Sequence, residues 1–324
     1  MYKKIFNIQT ENQFNEVALA VFKHQFTNNK VYRSFCDLLY VHPSSVKSIK
    51  EIPFLPIEFF KTKKILSSTN SVQKTFTSSG TTGNKTSKHY VTDTNLYKES
   101  FTKGFDYFYK DIEQYTILAL LPNYLERQGS SLVYMVNDLI VKTKNLESGF
   151  FLNNIDELIE KLSYLDQNGQ KVILIGVSFA LLDLVEKHSF KLKNTIIMET
   201  GGMKGQRKEL VRDELHQRLC KGFGVTKIHS EYGMTELLSQ AYSKGNGIFN
   251  CPPWMKVLIR DTEDALTILS SKKTGGINVI DLANYNSCSF IATQDLGKVQ
   301  PDNCFEIIGR FDNSDIRGCN LMVL

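Results

Sequence analysis

Six cysteines, Cys36, Cys220, Cys251, Cys288, Cys304 and Cys319, are scattered through the 324 residues without a single C-x-x-C pair. That spacing speaks against a structural zinc site and against a disulfide framework. In a reducing compartment such residues default to small buried hydrophobes, with one or two at most reactive. No apolar run reaches the length needed to cross a bilayer. The lysines of the N-terminal MYKKIFNIQTENQFNEVAL are not followed by an apolar stretch, so no secretory signal and a cytoplasmic location are expected. Dense Lys/Arg runs are also missing. The net charge of +5 comes from interspersed acids and bases and suits an anionic small molecule at least as well as nucleic acid. Internal repeats and low-complexity linkers are absent.

What is present suffices for a sizeable core: 42% of residues are apolar, with 21 Phe and 14 Tyr. The length fits one large α/β unit or two smaller ones. Residues 1–62 read as mostly helical, with Phe14, Val17, Ala18, Val21 and Phe22 at helical spacing. EIPFLPIEFFK at 51–61 reads as an extended connector because Pro53 and Pro56 interrupt its apolar residues. Beyond 115, apolar strands such as YTILALL, KVILIGVS and NTIIMET alternate with helices, which predicts a mostly parallel sheet flanked by helices. Beyond about 240 the pattern changes to short strands, WMKVLIR, ALTILS, GGINVIDL, SFIATQD and FEIIGR, which predicts an appended antiparallel, barrel-like unit.

The stretch Thr77–Ser87, TSSGTTGNKTS, gathers Ser78, Ser79, Thr81 and Thr82 around Gly80 and Gly83, then delivers Lys85 and Lys88. Glycines let backbone N–H groups turn toward one point, and hydroxyls add donors, a combination suited to phosphate oxygens. A polar surface loop has the same composition. It is not a Walker A loop, since no Gly-Lys-Ser/Thr follows at the required spacing. Four further loops follow expected strands, where ligands of such sheets collect. Glu199-Thr200-Gly201-Gly202 permits close backbone approach or is an ordinary turn. Tyr232-Gly233-Met234-Thr235-Glu236 offers a ring, a hydroxyl and a carboxylate, and equally suits a helix start capped by Thr235. Thr293-Gln294-Asp295-Leu296-Gly297 sets a carboxylate at a strand end, and Gly309-Arg310-Phe311-Asp312 brings a guanidinium.

Taken in order, these loops resemble the adenylate-forming superfamily of acyl and aryl ligases over roughly residues 50–318. The resemblance implies the large N-terminal domain of that superfamily. By it, Ser79, Gly80, Thr81, Thr82 and Gly83 hold the β- and γ-phosphates of ATP. Gly201 and Gly202 border the adenine, with Tyr232 against its face. Thr235 contacts the α-phosphate, Glu236 holds Mg²⁺, and Asp295 with Arg310 binds the ribose. The superfamily usually reads Gly-x-Pro-Lys after the loop, whereas this chain has Gly83-Asn84-Lys85-Thr86, so the lysine Lys85 is displaced by one place.

The segments FLPIEFFK, LERQGSSLVYM and RGCNL, with the closing GRFDNSDIRGCNLMVL, are similar to the acyl-protein synthetases of bacterial bioluminescence. That resemblance implies a fatty acid substrate, Cys319 as acyl acceptor and a reductase or carrier protein as the next recipient. It also implies an adenylate-forming domain over 1–309, a short tail 310–324 carrying Cys319, and an absent or vestigial mobile C-terminal domain. The alternatives are an acyl- or aryl-CoA ligase like the phenylacetate ligases and a non-catalytic nucleotide-binding relative.

Overall fold

The structure is a computed structural model that describes residues 1–78, 86–121, 129–151, 154–201 and 210–311. They form two compact units: Ser71–Pro252, and a discontinuous one that joins Met1–Asn70 to the described residues from Pro253 onward.

The N-terminal segment carries helices α1 (Tyr2–Ile5), α2 (Glu11–Asn28) and α3 (Lys30–Leu38). A capping box starts α2. The Thr10 hydroxyl accepts from the Gln13 N–H at 3.2 Å, and the Gln13 side chain accepts from the Thr10 N–H at 3.2 Å. Phe14, Ala18, Val21, Phe22 and Phe26 then fall on its buried face. The expected connector contains a two-residue strand, β1 (Leu55–Pro56), and a short helix, α4 (Phe59–Thr62).

The Ser71–Pro252 unit opens with a hairpin of its own, β2 (Lys74–Thr77) and β3 (Lys88–Val91), followed by α5 (Thr94–Tyr109). Then come β4 (Thr116–Leu120), α6 (Ser131–Thr143), β5 (Gly149–Phe150), α7 (Ile155–Gln167), β6 (Val172–Val177) and α8 (Ser178–Lys187). The unit ends with β7 (Thr195–Thr200), α9 (Arg212–Phe223), β8 (His229–Tyr232), β9 (Ala241–Ser243) and β10 (Ile248–Asn250). Strands β5, β4, β6, β7 and β8 lie side by side in that order, all parallel, and β9 and β10 extend the sheet antiparallel. Every residue of β4 and β6 is buried, as continuous apolar runs covered by helices on both faces require. Helix α9 stops at Gly224, whose φ of 69° is left-handed and whose place a side chain would contest with the Phe190 carbonyl at 2.7 Å.

The other unit resumes with β11 (Met255–Arg260), β12 (Thr274–Asp281), β13 (Phe290–Val299) and β14 (Phe305–Arg310), an antiparallel series. The long strand β13 changes partner along one edge. Its first part pairs parallel with β1, Leu55 opposite Ile291 and Pro56 opposite Ala292, and its second part pairs with β14 from Asp295 onward. The N-terminal helices join this unit through an aromatic cluster in which Tyr32 stacks on Phe290 at 6.0 Å while Phe22 and Phe54 meet the same ring edge-on. Gln25 is buried there; its amide donates to the carbonyls of Asn284 at 2.9 Å and Tyr285 at 3.0 Å and accepts from the Ser289 N–H.

The strand expected at ALTILS does not form. Only an isolated bridge, Arg260 to Ile268, survives. Asp261 and Asp264 accept hydrogen bonds from the Glu263 N–H, the Leu266 N–H and the Thr267 hydroxyl, which turns the segment back sharply. Its pairing with β11 is limited to two bonds beside that bridge, from the Asp261 N–H to the Thr267 carbonyl and from the Leu269 N–H to the Ile259 carbonyl. No helix among the described residues is long and apolar enough to cross a membrane.

Candidate active site

Of the residues singled out in the sequence, Ser79, Gly80, Thr81, Thr82, Gly83, Lys85, Gly202 and Cys319 lie outside the described residues. The neck of the Ser/Thr/Gly stretch is described. Thr77 pairs with Lys88 at the end of the β2–β3 hairpin. Beyond it the Ser78 N–H donates to the Ser87 carbonyl at 3.1 Å, and the Ser87 N–H donates to the Ser78 hydroxyl at 3.0 Å. The Thr77 N–H donates in turn to the carbonyl of Gly129 at 2.8 Å. Gly129 has a φ of 110°, and a side chain there would press on Thr77 Oγ1, so the segment before α6 must carry glycine to support the neck.

The Tyr-Gly-Met-Thr-Glu run leaves the parallel sheet at β8. Tyr232 ends the strand 8% exposed, its ring edge-on to Phe249 at 6.1 Å. Any Cβ at Gly233 would overlap the Glu231 carboxylate oxygen, which gives the motif glycine a steric reason. Met234 to Leu237 form a turn closed by the Leu237 N–H donating to the Met234 carbonyl at 3.0 Å. No helix follows, so the capping alternative for Thr235 is set aside. Glu236 is buried at 5% exposure.

His89, one residue into β3, reaches this turn: its Nδ1 lies 2.9 Å from the Thr235 carbonyl. A carbonyl only accepts, so Nδ1 carries the proton. Burial outweighs that hydrogen bond and pushes the ring down to about 4, which keeps it neutral. His89 lies on a strand whose exposure alternates from Lys88 to Val91, and it falls on the inward face.

Two carboxylates sit at adjacent strand ends. Glu199 on β7 is 5% exposed and accepts from the Ser178 hydroxyl at 3.1 Å, with His216 Nε2 at 3.6 Å. Burial alone would raise its carboxyl. The His216 hydrogen bond, the Arg212 charge and the Ser230 hydroxyl outweigh it and hold the group below the usual carboxylate range. The same Ser178 hydroxyl lies 2.7 Å from the carbonyl of Gly201, which has a φ of 70°. On β8, Glu231 accepts from Thr200. Ser178, His216 and Glu231 escaped the sequence reading; the signal was a carboxylate inside each of two otherwise buried strands, which must find partners. His229, beside them on β8, is 6% exposed with the Tyr109 hydroxyl 3.1 Å from Nδ1. Burial, then Lys227 and Lys244, push it down to about 4.

In the discontinuous unit, the β13–β14 register sets Asp295 opposite Arg310, with Nε 3.1 Å from Oδ1. Asp295 is 8% exposed and its N–H donates to the Thr293 hydroxyl at 3.1 Å. Asp295 thus lies inside β13 and not at a strand end as expected, since the strand continues to Val299. Buried Arg260 sits nearby, donating to the Ile277 carbonyl at 2.7 Å and lying over the Phe311 ring.

Among the described residues no three His, Cys, Asp or Glu side chains gather as a metal site. Four of the described cysteines are held as thiols by burial, Cys36 at about 12, Cys304 at about 11, and Cys220 and Cys288 also raised.

Residues 5–324 match the family model described as acyl-protein synthetase, LuxE. The chain is 24% identical to the long-chain-fatty-acid–luciferin-component ligase of Vibrio harveyi, over 97% of this chain and 88% of that one. Among solved structures it is similar to 2-hydroxyisobutyryl-CoA ligase in complex with 2-HIB-AMP and CoA, at a TM-score of 0.67 and 11% identity, covering 94% of this chain and 70% of that one. It is also similar to ATP-bound MatB from Rhodopseudomonas palustris, at a TM-score of 0.56 and 17% identity over 75% of this chain. The chain spans about half of the MatB length, 49%. These likenesses establish the large adenylate-forming ligase fold expected from the ordered loops, and the match over nearly the whole sequence establishes that the chain belongs to the acyl-protein synthetase (LuxE) family.

Proposed function

We propose that this protein activates a long-chain fatty acid with ATP and carries the acyl group on Cys319 before handing it to a partner protein. The fatty carboxylate attacks the α-phosphorus of ATP, the bond to the β-phosphate oxygen breaks, and pyrophosphate leaves. The Cys319 thiolate then attacks the carbonyl carbon of the acyl-AMP and releases AMP, leaving a thioester. Splitting the transfer in this way replaces one difficult step by two easier ones. The observation that carries the reading is the turn of half-buried Thr235 and buried Glu236, tied through His89 to the strand that leaves the Ser/Thr/Gly stretch.

In this reading Ser79, Gly80, Thr81, Thr82 and Gly83 bind the β- and γ-phosphates, with Lys85 beside them. Thr235 meets the α-phosphate, and Gly201, Gly202 and Tyr232 border the adenine. Asp295 accepts from the ribose hydroxyls with Arg310 as their second partner. A lone buried carboxylate fits Mg²⁺, which takes one or two carboxylates and completes its shell with phosphate oxygens and water. Glu236 is the residue we assign to it; the bound ion would neutralise phosphate charge. The raised thiols of Cys36, Cys220, Cys288 and Cys304 argue against them as acceptors, since the thiolate is the nucleophile. We place the reaction in the cytoplasm, and the receiving partner is a reductase or an acyl-carrier protein.

The test is ATP–pyrophosphate exchange with a panel of fatty acids, followed by labelling with radioactive acid and hydroxylamine treatment. Exchange with a long-chain acid and a hydroxylamine-labile label that disappears in Cys319→Ser are expected. A label that persists in that variant removes the assigned acceptor. Acyl-CoA in solution without protein-bound label would point to a CoA ligase instead.

A further inference from the structure

We infer that His89 is a positioning residue for adenylation, holding the Thr235–Glu236 turn in place by donating its Nδ1 proton to the Thr235 carbonyl. The inference rests on the proposed roles of Thr235 and Glu236 and adds a residue to them.

The turn is packed, with Leu237 fully buried and the Ser239 hydroxyl 3.0 Å from that of Ser100, but it has no regular secondary structure of its own. Between the end of β8 at Tyr232 and the start of β9 at Ala241 no helix or strand forms, and a backbone bond from Leu237 to Met234 closes the turn. A turn bearing the groups that meet the α-phosphate and the metal needs an outside reference, because a misplacement of about 1 Å costs about a hundredfold in rate. His89 supplies one. It is 1% exposed and anchored on β3 by its register opposite Phe76, so its ring has a fixed origin. The hydrogen bond spans 146 positions of sequence, within a single compact unit.

The position of β3 gives the bond its second consequence. The same strand continues from the neck closed by Ser78 and Ser87. One ring therefore ties the strand that leaves the Ser/Thr/Gly stretch to the turn carrying Thr235 and Glu236. The bond uses main chain as acceptor and is blind to the identity of Thr235. Because the His89 side of the bond is buried, a lost donor leaves the Thr235 carbonyl without its partner on that side.

The experiment compares His89→Asn, which keeps a side-chain N–H near the Nδ1 position, with His89→Leu and His89→Phe, which do not. Pyrophosphate exchange is measured against ATP, fatty acid and Mg²⁺ concentration, with circular dichroism melts of each variant. The expected result is exchange within about threefold of wild type for His89→Asn. For the non-donors we expect a fall of about 10- to 100-fold in kcat, with the Mg²⁺ midpoint shifted upward. The KM for fatty acid should be unchanged. Equal loss in all three variants, or full activity in a folded non-donor, overturns the positioning role while leaving the proposed function intact. Absence of exchange in wild type with every acid overturns the proposed function and this inference with it.

Discussion

Acidification bears on two buried histidines of the parallel-sheet unit, His89 and His229, and a paired comparison with a His229 variant isolates the second. Its ring has an ordinary pKa of 6.5 and is pushed down to about 4 in the folded protein. Between those values the unfolded chain binds a proton that the folded chain refuses, so stability rises with pH through that window. The contribution is complete above about 6.5 and is lost as pH falls toward 4. From pH 7 to pH 5 the linkage relation gives a loss of about 2 kcal/mol from this ring. For a unit of this size that is about 4–8 °C in melting temperature. Glu199, held below the usual carboxylate range, loses stability at lower pH too, but it is common to both proteins in a paired comparison. Melts of wild type and His229→Asn followed by far-UV circular dichroism at pH 7, 6 and 5 should therefore converge as the pH drops, the variant losing about 2 kcal/mol less. Parallel curves for the two proteins would refute the burial argument for His229.

Three further substitutions probe the sites directly. Gly233→Ala drives a methyl group into the Glu231 carboxylate and should destabilise by about 1–3 kcal/mol, read as a lowered melting temperature; an unchanged melt contradicts the steric account. Glu236→Gln should lower pyrophosphate exchange at least about tenfold and raise the Mg²⁺ requirement, since a neutral amide is a poorer ligand for a hard cation. An unaltered Mg²⁺ titration would remove Glu236 from the metal. Arg310→Ala should leave stability within about 0.5 kcal/mol because the side chain is 70% exposed, while the KM for ATP rises. A KM equal to wild type would remove Arg310 from the ribose.

Much of this was legible in the sequence. NTIIMET and KVILIGVS announce buried parallel strands because no polar alternation interrupts them, and both form within a residue of the expected limits. The loop Tyr232–Glu236 leaves a strand end as the pattern implied, whereas Asp295–Gly297 lies inside β13, because the ladder with β12 and β14 carries the strand on to Val299. Two things stayed hidden for physical reasons. ALTILS has strand-like composition, but the Asp264 side chain claims the Leu266 N–H and the Thr267 hydroxyl at its start, a competition that periodicity ignores. The links His89 to Thr235, Ser178 to Glu199 and Gln25 to Asn284 join residues far apart in sequence, and nothing local at either end fixes the partner.

The discontinuous unit also sets a timetable for synthesis. Phe22, Gln25 and Tyr32 find their partners at Asn284, Ser289 and Phe290, which are translated only after the whole of Ser71–Pro252. At ordinary elongation rates the delay is about 10–40 s. During it the parallel-sheet unit can complete itself, while an apolar helical face made first has nothing yet to cover it. The N-terminal helices are therefore the part of this chain with the longest exposure to aggregation and to chaperones, and a permutation that moves residues 1–70 behind β14 would shorten that wait.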